Sequence, residues 1–186
     1  MANYDHISDF RLMEQVHQGK ASSLEILFDR YYEPLCNFAF LFLKEAGTTE
    51  ELVSDVFIRI WQKRDQTGQI TNVKAYLYRS VKNAVISSIR KHRPELDELN
   101  KNESYTKLDI TPETLLIHSE LKASIGKMID AMPRQAGLVF RMHKIDGLSY
   151  KEIALALDLS VKTIENHMGR ALRFVKEIYS NNPDIF

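Results

Sequence analysis

Residues 148–175, LSYKEIALALDLSVKTIENHMGRALRFV, carry two helical patterns separated by a turn. Ser149 and Glu152 have the spacing of a capping box, which predicts the start of a short first helix. The apolar residues predicted to be buried in that helix are Ile153, Ala154 and Leu157. Asp158 tolerates the left-handed backbone of a tight turn, and Ser160 can cap the next helix. This order of elements predicts a helix-turn-helix.

The second helix of this motif has an apolar side and a polar, basic side. The residues expected inside are Val161, Ile164, Met168, Leu172 and Val175. The opposite side can bond to base edges near the start of the helix and to phosphates further along. The predicted base contacts are Lys162, Thr163 and Asn166, the predicted phosphate contacts are Arg170 and Arg173, and Ser160 and His167 complete the DNA-facing set. The alternative, a solvated face of an ordinary helical bundle, is disfavoured by the capped short helix and the three-residue turn.

The composition is that of a helical globular protein. The 186 residues are 44% hydrophobic and 27% charged, which allows one or two packed cores and is unlike a disordered tail. With five prolines, seven glycines and no alternating strand pattern, the chain is predicted to be all-α. The apolar run at residues 38–43 is too short to cross a membrane, and no secretory signal is recognised, so we expect a cytoplasmic protein.

Residues that catalyse reactions or bind metals are not grouped in this sequence. The six histidines are scattered, and neither a phosphate-binding glycine loop nor a Cys/His or Glu/His metal spacing occurs. The single cysteine, Cys36, cannot form an intrachain disulfide and is most simply a core residue. We therefore expect no enzyme activity, no cofactor, no metal site and no small-molecule substrate.

The charges are segregated along the chain although the formal net charge is zero. Residues 66–94 contain six basic residues and no acid, whereas residues 95–120 contain seven acids and two lysines. From residue 121 onward, ten basic residues stand against seven acids. Two basic segments flanking an acidic one indicate two separate nucleic-acid contacts joined by a connector that avoids nucleic acid.

The acidic connector is predicted to link two domains. Pro94 ends one helical pattern, and Pro112 stands where the first turn of the next helix is expected. The residues between them are polar and lack periodic apolar positions, although a long ordered surface loop is the alternative. We therefore divide the chain into a domain at 1–93, a linker at 94–112 and a helix-turn-helix domain at 113–180.

The first domain contains four helical patterns that predict a compact helix bundle, at residues 10–16, 22–43, 50–63 and 73–90. Before the third helix, Thr48 and Glu51 are spaced as a capping box. The apolar stripe of this helix consists of Leu52, Val53, Val56, Phe57, Ile60 and Trp61. The side facing away from the stripe holds Asp55, Ile58, Arg59 and Gln62. An exposed Ile58 among polar groups is a candidate partner contact, and a scattered surface apolar residue is the alternative.

The fourth helix has a basic side suited to nucleic acid. The residues expected inside are Val73, Leu77, Val81, Ala84 and Ser88. The other side, flanked by Tyr76 and Tyr78, holds Arg79, Lys82, Asn83, Ile86 and Arg90. Cations mixed with an amide and aromatic rings can follow a phosphate backbone and hold unstacked bases. The amide-rich loop at 65–72 is expected to be flexible and is a candidate pocket for a flipped base.

Taken together, these segments resemble the sigma-70 family of RNA polymerase factors, in its extracytoplasmic-function group. The resemblance rests on FDRYYEPLCNFAF, EELVSDVFIRIWQKR and VKAYLYRSVKNAVISSIRKHR, followed by a linker and a C-terminal helix-turn-helix. Their order and spacing are specific, and they correspond to family regions 2 and 4 alone. The resemblance implies a non-catalytic subunit of RNA polymerase that directs promoter recognition and DNA opening.

The resemblance also implies roles for individual surfaces. The outward side of the third helix matches the surface that binds the clamp helices of the polymerase beta-prime subunit. The fourth helix and its preceding loop match the reader of the minus-ten promoter element, with Asn83 and Arg90 at family positions and Ser87 where the family often has Asp. The helix after Ser160 matches the reader of the minus-thirty-five element. The beta flap of polymerase and a membrane-associated anti-sigma factor are further implied partners.

Two other interpretations stay open at this point. The segment LSVKTIENHMGRAL closely resembles the DNA-binding end of LuxR-type response regulators, which bind duplex DNA as dimers. A receiver domain of that class needs alternating strands and helices around an acidic pocket, and residues 1–93 lack that alternation. The third interpretation is a helical interaction protein with no DNA role.

Overall fold

The computed structural model describes residues 7–92, 126, 128, 129 and 131–181, and every regular element among them is helical. They divide into two compact units, the first within residues 1–109 and the second within residues 110–186. The predicted linker at 94–112 lies outside the described residues. The prediction of an all-α fold is confirmed.

No helix in the described part of the chain is both long enough and apolar enough to cross a membrane.

The first unit contains four α-helices: α1 (Asp9–His17), α2 (Ala21–Leu43), α3 (Ala46–Gln62) and α4 (Val73–His92). A 3₁₀ helix, Arg64–Gln69, follows α3. The central helix α2 packs against the other three α-helices, and the core forms between its inward side and that of α4. The side chains buried at this centre include Leu27, Leu35, Phe38, Leu77, Tyr78 and Val81.

Helix α1 is tied to α2 by a polar cluster around Asp9. The guanidinium of Arg30 donates hydrogen bonds of 2.8 Å to the Asp9 carboxylate and to the carbonyl of Ile7. The hydroxyl of Tyr31 donates to the second Asp9 oxygen. Because these groups are half-buried or buried, the bonds are shielded from water and fix where α1 lies on the bundle.

Helix α3 begins earlier than the sequence pattern predicts. The carboxylate of Glu45 accepts hydrogen bonds from the backbone amides of Gly47 and Thr48, so Glu45 is the N-cap and Thr48 lies inside the helix. These bonds, above all those from Thr48, lower the pKa of Glu45. The predicted capping box of Thr48 and Glu51 is therefore wrong. A carboxylate can cap a helix as serine or threonine does, because it also accepts from first-turn amides.

The predicted inward side of α4 is right in its first half and displaced in its second. Val85 is buried in place of Ala84 and Ser88, which are half-buried. Tyr78, predicted to flank the exposed side, is fully buried, and its ring meets that of Phe38 at 5.2 Å between centroids. Because α4 packs against three helices, its buried face is wider than a single stripe and takes in this tyrosine.

The described part of the second unit includes α5 (Arg134–Lys144), α6 (Tyr150–Leu157) and α7 (Val161–Asn181), with α5 and α6 both packed on α7. Its core includes Val139, Met142, Leu148, Ile153, Ile164 and Met168. Gly137 allows close packing, because a Cβ there would lie 2.9 Å from the carbonyl oxygen of Ile129. Gly147 takes the left-handed backbone, with φ at +67°, that turns the chain from α5 into α6.

The helix-turn-helix is confirmed in its order of helices, its caps and its turn. Ser149 and Glu152 form a reciprocal capping box at the start of α6. Asp158 ends α6 in the left-handed conformation, with φ at 64°. The hydroxyl of Ser160 then accepts a 3.0 Å hydrogen bond from the amide of Thr163 and caps α7. The turn between the helices is therefore specified by Asp158 and Ser160.

Two of the residues predicted inside α7 are exposed. Val161 is 38% exposed and Leu172 is 50% exposed, whereas Ile164, Met168 and Ala171 form the buried stripe. Leu172 lies one position beyond Ala171, which turns it about 100° further around the helix, toward the edge of the apolar face. The small Ala171 takes the inward position instead.

Replacing Ser149 with alanine removes the hydroxyl oxygen that accepts a hydrogen bond from the backbone amide of Glu152. We expect the opening free energy of the α6 amides to fall by about 1 kcal/mol, the usual cost of losing a helix N-cap. Native-state hydrogen exchange of the full chain measures this locally. Ser180→Ala, at an exposed position near the end of α7, is the matched control. Equal losses in the two variants would contradict the capping role.

Candidate nucleic-acid interfaces

A cavity of about 460 Å³ lies in the first unit between α3, the 3₁₀ helix and α4. Its apolar lining includes Val56, Ile60 and Ile70. The polar residues that line it are Arg59, Lys63, Gln66, Thr67, Tyr76, Ser80, Asn83 and Ser87. A nucleotide whose nucleobase has left the stack can be held by such a set of groups. The set comprises apolar side chains, a few amides and hydroxyls, an aromatic ring and two cations.

The segment before α4 is more ordered than predicted. Residues 64–69 form the 3₁₀ helix, Thr67 is buried, and its hydroxyl donates a 2.6 Å bond to the carbonyl of Arg64. Asn72 accepts a hydrogen bond of 2.9 Å from the amide of Ala75 and caps α4. The expected flexible loop is therefore wrong for these residues. Its side-chain hydroxyls and amides satisfy the backbone, which hydropathy alone does not reveal.

Helix α4 presents two polar faces rather than one. Tyr76, Ser80, Asn83 and Ser87 recur at spacings of four, three and four residues and line the cavity. The neighbouring face carries the rest of the predicted nucleic-acid set, with Arg79 and Arg90 exposed and Lys82 and Ile86 half-buried. Asn83 thus lines the cavity at the edge that adjoins the cations, one helical turn from Arg79. Sequence reasoning missed Ser80, although its helical spacing to Asn83 was the available signal.

The outward side of α3 is as exposed as predicted. Asp55, Ile58, Arg59 and Gln62 are all exposed, and Ile58 has 52% of its surface accessible. The Nε of Arg59 donates a 3.1 Å bond to the carbonyl of Asp55, one helical turn back. Arg59 also lines the cavity together with Lys63. The structure therefore places Arg59 where the outward side of α3 meets the cavity, and Lys63 was not foreseen there.

The exposed side of α7 carries the residues predicted to touch duplex DNA. Lys162, Asn166, Arg170 and Arg173 are exposed, and Ser160 at the N-cap is exposed as well. Thr163 is half-buried, and its hydroxyl hydrogen-bonds that of Ser160 at 2.8 Å. Lys162 lies 3.3 Å from the carboxylate of Glu165 in an exposed ion pair, which is weak enough to exchange for another anion.

His167 differs from its neighbours because it is half-buried on the flank of α7. Burial, and secondarily the charge of Arg170, lower the pKa of its imidazole. The lowered pKa favours the neutral ring, which can offer one hydrogen bond at this surface.

The residue types that bind metals or act as nucleophiles occur across the described residues. Across these parts of the chain, no group of three or more His, Cys, Asp or Glu side chains could hold a metal ion. Cys36, predicted as a core residue, is half-buried, and burial raises the pKa of its thiol. A thiol held in its neutral form is a poor nucleophile.

Two family models match the chain in separate segments. Residues 27–95 match sigma-70 region 2, and residues 122–175 match sigma-70, region 4. The first match covers α3, the cavity and α4, and the second covers the helix-turn-helix. A region 2 match over a segment whose described regular elements are all helices does not favour the response-regulator interpretation, which requires a domain of alternating strands and helices.

Relatives and solved structures agree with these matches. The chain is 24% identical to the ECF RNA polymerase sigma-E factor of Escherichia coli K12, over 90% of this chain and 92% of that protein. It is 21% identical to the RNA polymerase sigma-H factor of Pseudomonas aeruginosa PAO1, over 88% and 89% of the two chains.

Two solved complexes contain chains of similar fold. CnrH, in complex with the cytosolic domain of CnrY, superposes with a TM-score of 0.61 at 22% identity, covering 94% of this chain and 98% of that one. The sigma factor RpoE of Bartonella quintana, in complex with the anti-sigma factor NepR, superposes with a TM-score of 0.60 at 19% identity, covering 84% and 96%.

The two family models together span more than half of the chain, in the order region 2 then region 4, and the relative matched over 92% of its length in Escherichia coli K12 is an ECF sigma factor. The chain belongs to the sigma-70 family of RNA polymerase factors, in its extracytoplasmic-function group.

Proposed function

We propose that this sigma factor joins bacterial core RNA polymerase and directs it to promoters through two separate DNA contacts. The observation that carries the proposal is the pairing, in one chain, of a nucleotide-sized polar cavity in the first unit with an exposed cationic recognition helix in the second. The first is suited to single-stranded bases and the second to duplex DNA. The chain needs no catalysed reaction for this role.

The cavity is proposed to trap one base of the non-template strand at the minus-ten element. Gln66 and Asn83 can bond to the edge of an extruded base, and Tyr76 can stack on its face. Arg59 and Lys63 can contact the adjoining phosphate. Extruding a base costs about a few kcal/mol in lost stacking and pairing, and these contacts offset that cost only when the strand is open.

The exposed face of α4 is proposed to follow the strand beyond the cavity. Arg79, Lys82 and Arg90 supply cations and Ile86 an apolar contact, on a face adjacent to the cavity-lining one. A strand whose base enters the cavity has its backbone close to these cations. The segment is therefore suited to hold single-stranded DNA without reading every base.

The outward side of α3 is proposed as the docking surface for the clamp helices of the polymerase beta-prime subunit. It combines the exposed Ile58 with the carboxylate of Asp55 and the amide of Gln62. An apolar centre with polar groups around it is the usual arrangement of a protein interface. Arg59 lies at the border of this surface and the cavity, so it can contact both the clamp helices and the DNA strand.

Helix α7 is proposed to read the minus-thirty-five element in the major groove. Lys162, Thr163 and Asn166 lie in its first two turns, where such helices contact bases, and Arg170 and Arg173 follow where phosphates are expected. Because Thr163 bonds to Ser160, its hydroxyl is already oriented for a further contact. The beta flap of polymerase is the expected protein partner of this unit.

An anti-sigma factor is the further partner we propose. CnrH and the Bartonella RpoE were each solved with a bound regulator, the cytosolic domain of CnrY and the anti-sigma factor NepR. The second unit of this chain exposes the large apolar side chains Ile145, Leu155, Val161 and Leu172, which a protein partner can cover.

Asp55→Arg combined with Ile58→Glu is expected to weaken binding to core polymerase by at least about tenfold. The change reverses one charge and places another in the apolar centre of the proposed surface. Fluorescence anisotropy of the labelled full chain with core enzyme measures the affinity. Asp29→Arg, an exposed charge reversal on α2, should bind as the unmodified chain does. If the α3 variant binds core polymerase with the affinity of the unmodified chain, the proposed docking surface is wrong.

Gln66→Ala and Asn83→Ala are each expected to weaken holoenzyme binding to single-stranded minus-ten DNA by about 1 to 3 kcal/mol, because each loses one base-edge contact. Gln69→Ala is the matched control, since Gln69 lies on the same 3₁₀ helix outside the cavity wall. The preferred oligonucleotide is first selected from a random pool with the unmodified holoenzyme. If Gln69→Ala weakens binding as much as Gln66→Ala does, the cavity is not the base site.

Arg170→Ala and Asn166→Ala should separate the two kinds of duplex contact on α7. Losing a phosphate contact should weaken holoenzyme binding to all duplexes and lower the salt dependence of log K by about 0.9. Losing a base contact should instead reduce discrimination between minus-thirty-five sequences. Lys144→Ala, an exposed cation at the end of α5, is the control. A salt slope unchanged in Arg170→Ala would contradict the phosphate assignment.

A further inference from the structure

The first turn of the 3₁₀ helix is held by an unusual concentration of bonds around Arg64. Its carbonyl oxygen accepts from the hydroxyl of Thr67 at 2.6 Å and from Nδ1 of His17 at 3.0 Å. Its guanidinium donates to the carbonyl of Trp61 at 3.0 Å and lies 4.8 Å from the centre of the Trp61 ring. Of these bonds, only that from His17 reaches another region of the chain, 47 residues away.

His17 makes a second contact four residues further along the same segment. A Cβ atom at Gly68 would lie 3.1 Å from both Cε1 and Nε2 of His17 and 3.3 Å from its Cδ2. The imidazole therefore lies close to the backbone of Gly68, although both residues remain exposed to solvent. The backbone of Gly68 does not take the left-handed conformation, so a side chain there would act through the His17 ring, which would have to shift by a few tenths of an ångström to admit a Cβ atom.

The two contacts of His17 bracket one wall of the cavity. Gln66 and Thr67, which line it, lie between Arg64 and Gly68. The 3₁₀ helix packs more extensively on α1 than on α3, and His17 is the last residue of α1. The bonds from Arg30 and Tyr31 to Asp9 anchor the other end of α1 to α2. Helix α1 thus connects the core of the bundle to this wall.

We propose that His17 is a positioning residue that sets the register of Gln66 and Thr67 toward an extruded base, and so sharpens discrimination between minus-ten sequences. The inference rests on the proposed function of the cavity. It assigns a role to α1, which precedes the segment matched by region 2 at residues 27–95. His17 touches no base itself, and both its neutral Nδ1–H form and its cation can donate the bond to Arg64.

The test measures discrimination with the holoenzyme assembled from the full chain and core polymerase. The readout is the ratio of dissociation constants for the selected minus-ten oligonucleotide and its single-base variants. The variants are His17→Ala, His17→Asn, Gly68→Ala and the His17→Ala, Gly68→Ala double. Asparagine keeps a donor at the position of Nδ1 and removes most of the ring. Gln18→Ala, at the next and equally exposed position, is the control.

His17→Ala should lower the discrimination ratio by about two- to tenfold, the range set by one hydrogen bond's net contribution. Binding to core polymerase should stay within about twofold, a separation that a general loss of stability would not give. His17→Asn should recover part of the ratio. Gly68→Ala should lower the discrimination ratio in the otherwise unmodified chain. In the His17→Ala background it should cause no further change in the ratio, because the ring that the new methyl group would meet is absent.

Two results would contradict the role of His17 while still supporting the base pocket. One is additive effects of His17→Ala and Gly68→Ala on the discrimination ratio. The other is an unchanged ratio in His17→Ala together with a lowered ratio in Gln66→Ala. An unmodified holoenzyme that does not discriminate, or a Gln66→Ala variant with an unchanged ratio, would overturn the base pocket and this inference together. If His17→Ala loses its fold, Gly68→Ala and His17→Asn decide between the same outcomes.

Discussion

The packing of α4 against α1, α2 and α3 is the constraint on which the first unit depends. Leu77, Val81 and Val85 follow one another at helical spacing into the core, and Tyr78 adds a fully buried ring against Phe38. A helix held on this many sides cannot rotate without exposing apolar surface, at about 25 cal/mol for each Å². The orientation of its polar faces is therefore fixed before any DNA is bound.

That fixed orientation explains how one helix can serve two purposes. The side of Tyr76 and Asn83, which lines the cavity, lies next to the side of Arg79 and Arg90, which is open to solvent. The 3₁₀ helix closes the cavity from the other side with its own hydroxyl and amide groups. A pocket whose walls are set in advance loses little conformational entropy on binding, so more of the contact energy is left to hold an open strand.

The sequence predicted which segments form helices more reliably than which of their side chains are buried. The four helices of the first unit and the helix-turn-helix were found from apolar spacing and capping residues, because those signals are local. The burial of Val85 and Ala171 in place of Ser88 and Leu172 depends on which neighbours a helix meets, and one step of 100° changes the answer. Glu45 was missed as a cap because glutamate is an uncommon N-cap residue.

The residues of the two candidate sites could be predicted to different extents, again because local patterns are visible in a sequence and contacts between distant segments are not. The recognition face of α7 belongs to one helix, so its exposed residues could be derived from that helix alone. The cavity is formed by three elements, and Lys63 carries no local sign of facing it, whereas Ser80 has only its helical spacing to Asn83. The order of residues 64–69 was missed because it comes from bonds of side chains to backbone, including that of His17 to Arg64. Long-range contacts of this kind leave no periodic pattern in a sequence.

The zero net charge of the chain is consistent with a factor that acts on DNA only when bound to polymerase. Non-specific affinity for DNA grows with the number of phosphates neutralised, so a strongly basic free factor would be held along the chromosome. Two modest contacts carried by one polymerase reinforce each other, since binding of the first raises the effective concentration of the second. Under the proposed function, each unit then needs only a few well-placed cations, for which Arg79 and Arg170 are the candidates, and the acids elsewhere can balance them.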